Sequence, residues 1–347
     1  MTPYVLYGNV RTLIAQRGGT GVLRMSFTTP DWAKRHNYFH HSNPRSKDRA
    51  KNIFEKAVVR PKIQWAKLVL DNPRKESHHE KAHEILDAFT KNRGSANMAA
   101  GRAVQDATDL HLIPDEFGTT LSLVEAIHVA QDNMREYQPK EYNATVRESD
   151  TARKEHYIDE LAKVVEHAVL GLQEAMKMDN RLIGETDYKS TLPGNALPHN
   201  TLPDYGRRGD LKTKWSGPHH NAKDPTTTKW HKGSLPSSLS GMFDMNNVYQ
   251  AAGFYALNGR QLPFLVYANA YDYKIFNEHN APELKPDFLE EVIRDIAMHH
   301  KTTENILRAA HDTEDLFGLC DPDFNQIYWN EPPAYLNQAK KAWGLEA

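Results

Sequence analysis

The chain has 347 residues, of which 39% are hydrophobic and 10% aromatic, and its formal net charge is −2. That length is a prior for roughly two domains or one large one, the aromatic content excludes wholesale disorder, and near-neutrality leaves any nucleic-acid binding to local patches. The single cysteine, Cys320, excludes an internal disulfide framework and a four-cysteine zinc or iron–sulfur site.

No basic-then-apolar leader opens the chain, and no apolar run approaches the ~18 residues of a spanning helix. These features predict a soluble cytoplasmic protein with no membrane partner. Residues 1–93 are basic and irregular, densest over 33–56, with helical patterns near Ala50 and over Lys75–Lys91. Small residues recur at helical spacing over 93–113, after Gly94 and Ser95. Residues 121–137 read as a helix with Leu121, Val124, Ile127 and Met134 on its apolar stripe. The clearest helix is 151–178, where Ile158, Leu161, Val165, Ala168, Leu172 and Met176 recur at three- and four-residue steps and Asp150 or Thr151 serves as cap. Short, turn-punctuated segments at 181–194 and 196–206 suit strands, and 210–215 alternates in period two. Residues 216–240 read as a long exposed loop. A helix over 244–259, ended by Gly259, a strand over 261–271 and a helix over 285–310 complete the pattern.

This order predicts an α/β fold, a mixed central sheet flanked by helices, with a helical N-terminal region. The division expected is 1–93 as a basic N-terminal region, 94–310 as the core, and 311–347 as an aromatic-rich tail packed on the domain or a neighbouring subunit. Histidine pairs at 40–41, 78–79, 219–220 and 299–300 have no zinc-site spacing and read as loop or surface residues.

The stretch 203–214, Pro-Asp-Tyr-Gly-Arg-Arg-Gly-Asp-Leu-Lys-Thr-Lys, holds two carboxylates among four cations. Side chains alternate along a strand, so Asp210 and Lys212 share a face. Asp204 joins them only if an antiparallel register sets Tyr205 opposite Gly209, with Gly206, Arg207 and Arg208 as the loop. Gly206 and Gly209 can take the positive φ of a short hairpin. Two carboxylates so placed suit Mg²⁺ or Mn²⁺, one or two ions per site. Lys212 would then serve the nucleophilic water, and Arg207, Arg208 and Lys214 the phosphates. In the following segment Lys229, Trp230 and Lys232 combine cations with an aromatic, a composition suited to a DNA strand.

The Pro203-Asp204 pair followed by Asp210-Leu211-Lys212 resembles the PD-(D/E)xK nuclease signature, and its strand resembles that of the RecB, lambda-exonuclease and RecE-like branch. A preceding polar strand with Gly184, Glu185 and Asp187, and a following helix with Tyr249-Gln250-Ala251-Ala252-Gly253-Phe254-Tyr255, resemble the same branch, as does the segment 99–107. The resemblance covers islands over about 94–270. It implies a restriction-endonuclease-like core and a phage-type exonuclease that digests linear double-stranded DNA from its ends, commonly 5′→3′, in recombination or DNA degradation. It also implies a trimer or tetramer, a single-strand annealing or binding protein as partner, and the host cytoplasm if the source is viral. Asp204 and Asp210 become metal ligands, Lys212 the catalytic lysine and Gln250 a supporting glutamine. Gln105 stands where the family carries a Glu or His ligand, with Asp106 and Asp109 as substitutes, and Glu185 is a further acidic candidate. Two other readings are a structure-specific or restriction-like endonuclease and a non-catalytic DNA-binding or assembly protein.

Overall fold

The structure is a computed structural model that describes residues 40–41, 48–89, 95–139, 150–177, 187–206, 208–221, 224–310, 312–326, 329 and 333–345. In chain order the elements are β1 (His40–His41), α1 (Arg49–Phe54), α2 (Arg60–Leu70), α3 (His79–Phe89), α4 (Ala96–Leu112), α5 (Leu123–Glu136) and α6 (Asp150–Met176). They continue with β2 (Tyr188–Thr191), β3 (Pro198–Thr201), β4 (Gly209–Thr213), β5 (Gly217–Asn221), β6 (Asp224–His231) and α7 (Met242–Leu257). The last are β7 (Phe264–Ala268), β8 (Tyr273–Phe276), α8 (Pro286–Ala309), α9 (Thr313–Gly318) and α10 (Pro333–Ala342). The chain is therefore mixed α/β, with a helical N-terminal region. Among the described residues no helix is long and apolar enough to cross a membrane.

The chain forms two compact units. One comprises Met1–Arg93, Thr191–His199 and Asp295–Ala347; the other comprises Gly94–Ser190 and Asn200–Arg294. The N-terminal region and the aromatic tail, expected as separate pieces, thus belong to one unit, which also takes the distal part of α8.

In that first unit the aromatic residues of the tail close over the N-terminal helices. The Phe54 ring lies 5.4 Å from Tyr335, 6.1 Å from Trp343 and 6.2 Å from Trp329. Asp48 caps α1 through Ala50 N–H and also accepts Trp329 Nε1 at 2.7 Å, tying helix start to tail. The histidine pairs are not all on the surface. His40 and His300 are buried and stacked, 3.9 Å between centroids, with buried His199 5.1 Å from His300. Burial and a buried acid, Glu304, provide the environment that their sequence spacing does not announce. Glu304 accepts the backbone N–H groups of Ala196 and Leu197, both at 2.9 Å, and lies 3.5 Å from His40. Burial raises the Glu304 carboxyl, but the His40 bond and those two N–H donors outweigh it and hold it below the ordinary range.

The second unit is built on a three-stranded sheet in the order β4-β7-β8. β4 runs parallel to β7, from Gly209 opposite Phe264 to Thr213 opposite Ala268, and β8 is antiparallel to β7. Every residue of β7 is buried, as a central strand covered on both faces requires. One face meets α4 and α6, where glycines permit close approach. A Cβ on Gly171 would lie 2.7 Å from Val266, and one on Gly101 3.3 Å from Thr213. The opposite face carries Tyr267 and meets α7, whose Asn247 donates to the Tyr267 hydroxyl at 2.7 Å.

Three expectations are corrected here. α5 buries Ala126, Ile127, Ala130 and Met134, whereas Val124 is exposed, because its helix packs through its small residues. Asp150 opens α6, and its carboxylate accepts Ala96 N–H at 2.8 Å and the Tyr137 hydroxyl at 2.6 Å, joining three helix ends. The supposed loop 216–240 contains the antiparallel ribbon β5–β6, in register from Gly217 opposite His231 to His220 opposite Thr228. Its three consecutive β-branched threonines, 226–228, favour extended backbone, and Trp230 anchors it by stacking on His156 with centroids 3.9 Å apart.

Candidate active site

The turn before β4 has the register the chemistry requires. Tyr205 pairs with Gly209, with N–H···O distances of 3.1 and 2.6 Å, and Arg208 N–H closes the loop onto Tyr205 O at 3.1 Å. Gly206 has φ of 56°, where a side chain would strain the backbone. Gly209 does not take positive φ, contrary to expectation. It is glycine because a Cβ there would lie 2.2 Å from the Phe264 ring on the neighbouring strand. Pro203 has no N–H to extend the hairpin, and the Asp204 carboxylate accepts Leu211 N–H instead, at 3.1 Å.

This geometry brings Asp204 and Asp210 together. Gln105, reaching from α4, donates its amide to the other Asp204 oxygen at 3.1 Å. Burial, then the Asp210 charge and a hydrogen bond to Asp210, raise the Asp204 carboxyl well above its ordinary range; Lys212 and Leu211 N–H pull the other way without reversing it. On the same strand face Lys212 Nζ forms an ion pair with the buried Asp210 and donates to Gln250 Oε1 at 2.9 Å. Three stretches far apart in sequence, at 105, 204–212 and 250, thus converge.

The floor of the site is a second polar layer. Tyr205 is buried, its hydroxyl 2.5 Å from Thr108 Oγ1 and beside Asp109, so α4 grips the turn through successive residues of one face. Burial and then the Asp109 charge raise the Tyr205 hydroxyl well above its ordinary range. On α7, Asp244, Asn247 and Gln250 recur at three-residue steps and face β4 and β7. Asp244 accepts Lys214 Nζ and the Tyr267 hydroxyl, each at 3.3 Å. Burial first, then Asp244 and Asp210, raise Tyr267, so it serves as a neutral donor.

The other candidates are placed less directly. Arg208 donates to Leu262 O at 2.8 Å and stands 5.8 Å from the Phe264 ring, so its guanidinium braces the turn. Lys214 lies 5.3 Å over Tyr267 as well as on Asp244. Trp230 spends a ring face on His156, while Lys229 and Lys232 are exposed, Lys232 lying 5.3 Å from the Tyr271 ring centroid. Asp106 is paired with Arg102 at 3.2 Å. Glu185 and Arg207 lie outside the described residues. Asp244, Asn247, Thr108 and Tyr267 escaped the sequence reading. The α7 triplet spacing was a usable signal, whereas Tyr267 joins only because the parallel register sets it opposite Lys212.

The donor set suits a hard cation. Asp204 and Asp210 offer carboxylate oxygens side by side, and burial and the Asp210 charge, which raise the Asp204 carboxyl, are the conditions a bound cation would relieve. Among the described residues no group of three or more His, Cys, Asp or Glu is arranged to hold an ion, so waters or substrate oxygens would complete the shell. No family model matches the chain, and neither the curated proteins nor the solved structures returned a match.

Proposed function

We propose that the chain is a divalent-metal-dependent deoxyribonuclease that hydrolyses phosphodiester bonds of linear double-stranded DNA from its ends. The observation that carries this reading is the turn pairing Tyr205 with Gly209, which sets Asp204 against Asp210 with Lys212 on the same face. A buried acid pair beside a lysine held by a glutamine is costly to the fold unless it serves a charge that arrives later.

Asp204 and Asp210 would hold Mg²⁺ or Mn²⁺, with Gln105 fixing the Asp204 rotamer. The ion, when bound, supplies an activated water and neutralises charge on the pentacoordinate transition state. Lys212, steered by Asp210 and Gln250, orients that water and faces the developing negative charge. Tyr205 and Thr108 keep the turn from slipping by a residue, which would carry Asp204 to the other face. Duplex ends, a homo-oligomeric ring and a single-strand annealing partner belong to the same proposal, and they rest on the sequence resemblance alone.

The test is digestion of end-labelled linear duplex with Mg²⁺, with Mn²⁺ and with chelator, run beside covalently closed circular DNA. Metal-dependent release of nucleotides from the linear form alone is the expected result. Cleavage of the circle would reassign the chain to an endonuclease. Equal activity in Asp210→Ala or Lys212→Ala preparations would place the cleavage elsewhere.

A further inference from the structure

Tyr271 is 59% exposed, yet it sits on a turn braced by hydrogen bonds. The turn joins β7 to β8 and is organised by Asn269, itself buried. Asn269 Oδ1 accepts Tyr271 N–H at 2.7 Å and Asp272 N–H at 2.8 Å, and its amide donates to Gly233 O at 2.6 Å. Asn269 N–H bonds Asp272 O at 3.0 Å, and His167 Nδ1 donates to the Asn269 carbonyl at 2.9 Å. An aromatic held outward on fixed backbone loses little entropy when something lands on it.

The surroundings identify what would land. Lys232 Nζ lies 5.3 Å from the Tyr271 ring centroid, directly after the end of β6. Gly233 presses so close to the end of β4 that a Cβ would lie 2.4 Å from the Lys214 carbonyl, which ties Lys232 to the strand that carries Lys212. Lys214 N–H in turn bonds Ala268 O at 2.8 Å, so the platform grows from the ends of β4 and β7. The nearest acid in sequence, Asp272, has Oδ1 turned to Tyr273 N–H at 2.8 Å. A lone exposed aromatic needs no explanation by itself; a braced one with a lysine on it, just beyond the end of the strand that pairs with Asp210 and Lys212, does. Trp230 is the less suitable platform, because His156 already covers its ring.

We propose that Tyr271 is a stacking platform for a nucleobase of a single-stranded DNA segment, with Lys232 on its phosphate. This rests on the nuclease reading for its choice of DNA as ligand. Stacking on an aromatic face tolerates every base, which is what a site acting on arbitrary sequence needs. The lysine–ring contact is weak at an exposed site and yields to an incoming base while the ammonium turns to its phosphate.

The experiment is fluorescence anisotropy of the full chain with a labelled oligothymidine in chelator, where cleavage is silent. Tyr271→Ala should weaken binding about tenfold, the loss of one stacked base, whereas Tyr271→Phe should bind like the parent, since the ring face and not the hydroxyl is used. Lys232→Ala should weaken binding and flatten its salt dependence. Parent-like binding by Tyr271→Ala, an equal loss in Tyr271→Phe, or no oligothymidine binding by the parent each overturns the proposal. The two readings fail separately. Tyr271-dependent binding without Mg²⁺- or Mn²⁺-dependent cleavage removes the nuclease and leaves the platform; cleavage with Tyr271-independent binding does the reverse.

Discussion

Lys212 makes two bonds whose removal has different consequences. Its ion pair with Asp210 holds it over the acid pair, and the Gln250 contact at 2.9 Å sets its direction. On the proposed nuclease function, Lys212→Ala should therefore lower the cleavage rate by about 10²–10³-fold, the scale of losing one electrostatic stabiliser. Gln250→Ala should cost less, because Asp210 still restrains the ammonium; rates from single-turnover digestion measure both. Gly209 shows how a residue can be read correctly as special for the wrong reason. Its neighbours Gly206 and Asp210 are legible as turn and strand, but the Phe264 ring that forbids a side chain lies far along the chain. Gly209→Ala should destabilise the unit by about 1–3 kcal/mol through overpacking, and adding Phe264→Leu should restore much of that in urea unfolding.

At the level of elements, α4 and the turn act as one piece. Gln105, Thr108 and Asp109 lie on a single helix face and meet Asp204 and Tyr205 in succession. Tyr205→Phe should cost about 0.5–1.5 kcal/mol for the lost hydroxyl bond, and in a double-mutant cycle with Thr108→Val the two losses should not add. The helix itself was legible from its small residues, and β4 from its alternation. The β5–β6 ribbon was not, since its prolines and histidines mask the alternation, and what pins it is a tryptophan–histidine stack formed across the fold. The same holds for α7. Its Asp244–Asn247–Gln250 row became meaningful only once Lys214 and Tyr267 were set beneath it.

Across the whole molecule, acid should act first on the unit that contains β1. Burial and then the His40 charge push His199 down to about 3, and burial lowers His40 as well. Between the ordinary histidine value and about 3, the unfolded chain binds a proton that folded His199 refuses. Stability therefore rises with pH across that window and is lost as pH falls, by up to ~1.4 kcal/mol per unit for one such group. Equilibrium unfolding at a series of pH values should show that slope, and His199→Gln should reduce it, leaving the part due to His40. The surface role assigned to the histidine pairs missed this, because burial of His40 and His300 depends on stretches from opposite ends of the sequence.

The interleaving of the two units governs the order in which they can be made. A ribosome that has delivered residue 294 has delivered every part of the unit bearing Asp204 and Asp210, while the other still waits for Asp295–Ala347. Residues 48–89, made before residues 94–294, thus wait longer for their partners. Nascent chains arrested after residue 294 should show protease protection over 94–294 before any over 48–89, which inverts the usual N-terminal-first sequence of domain completion.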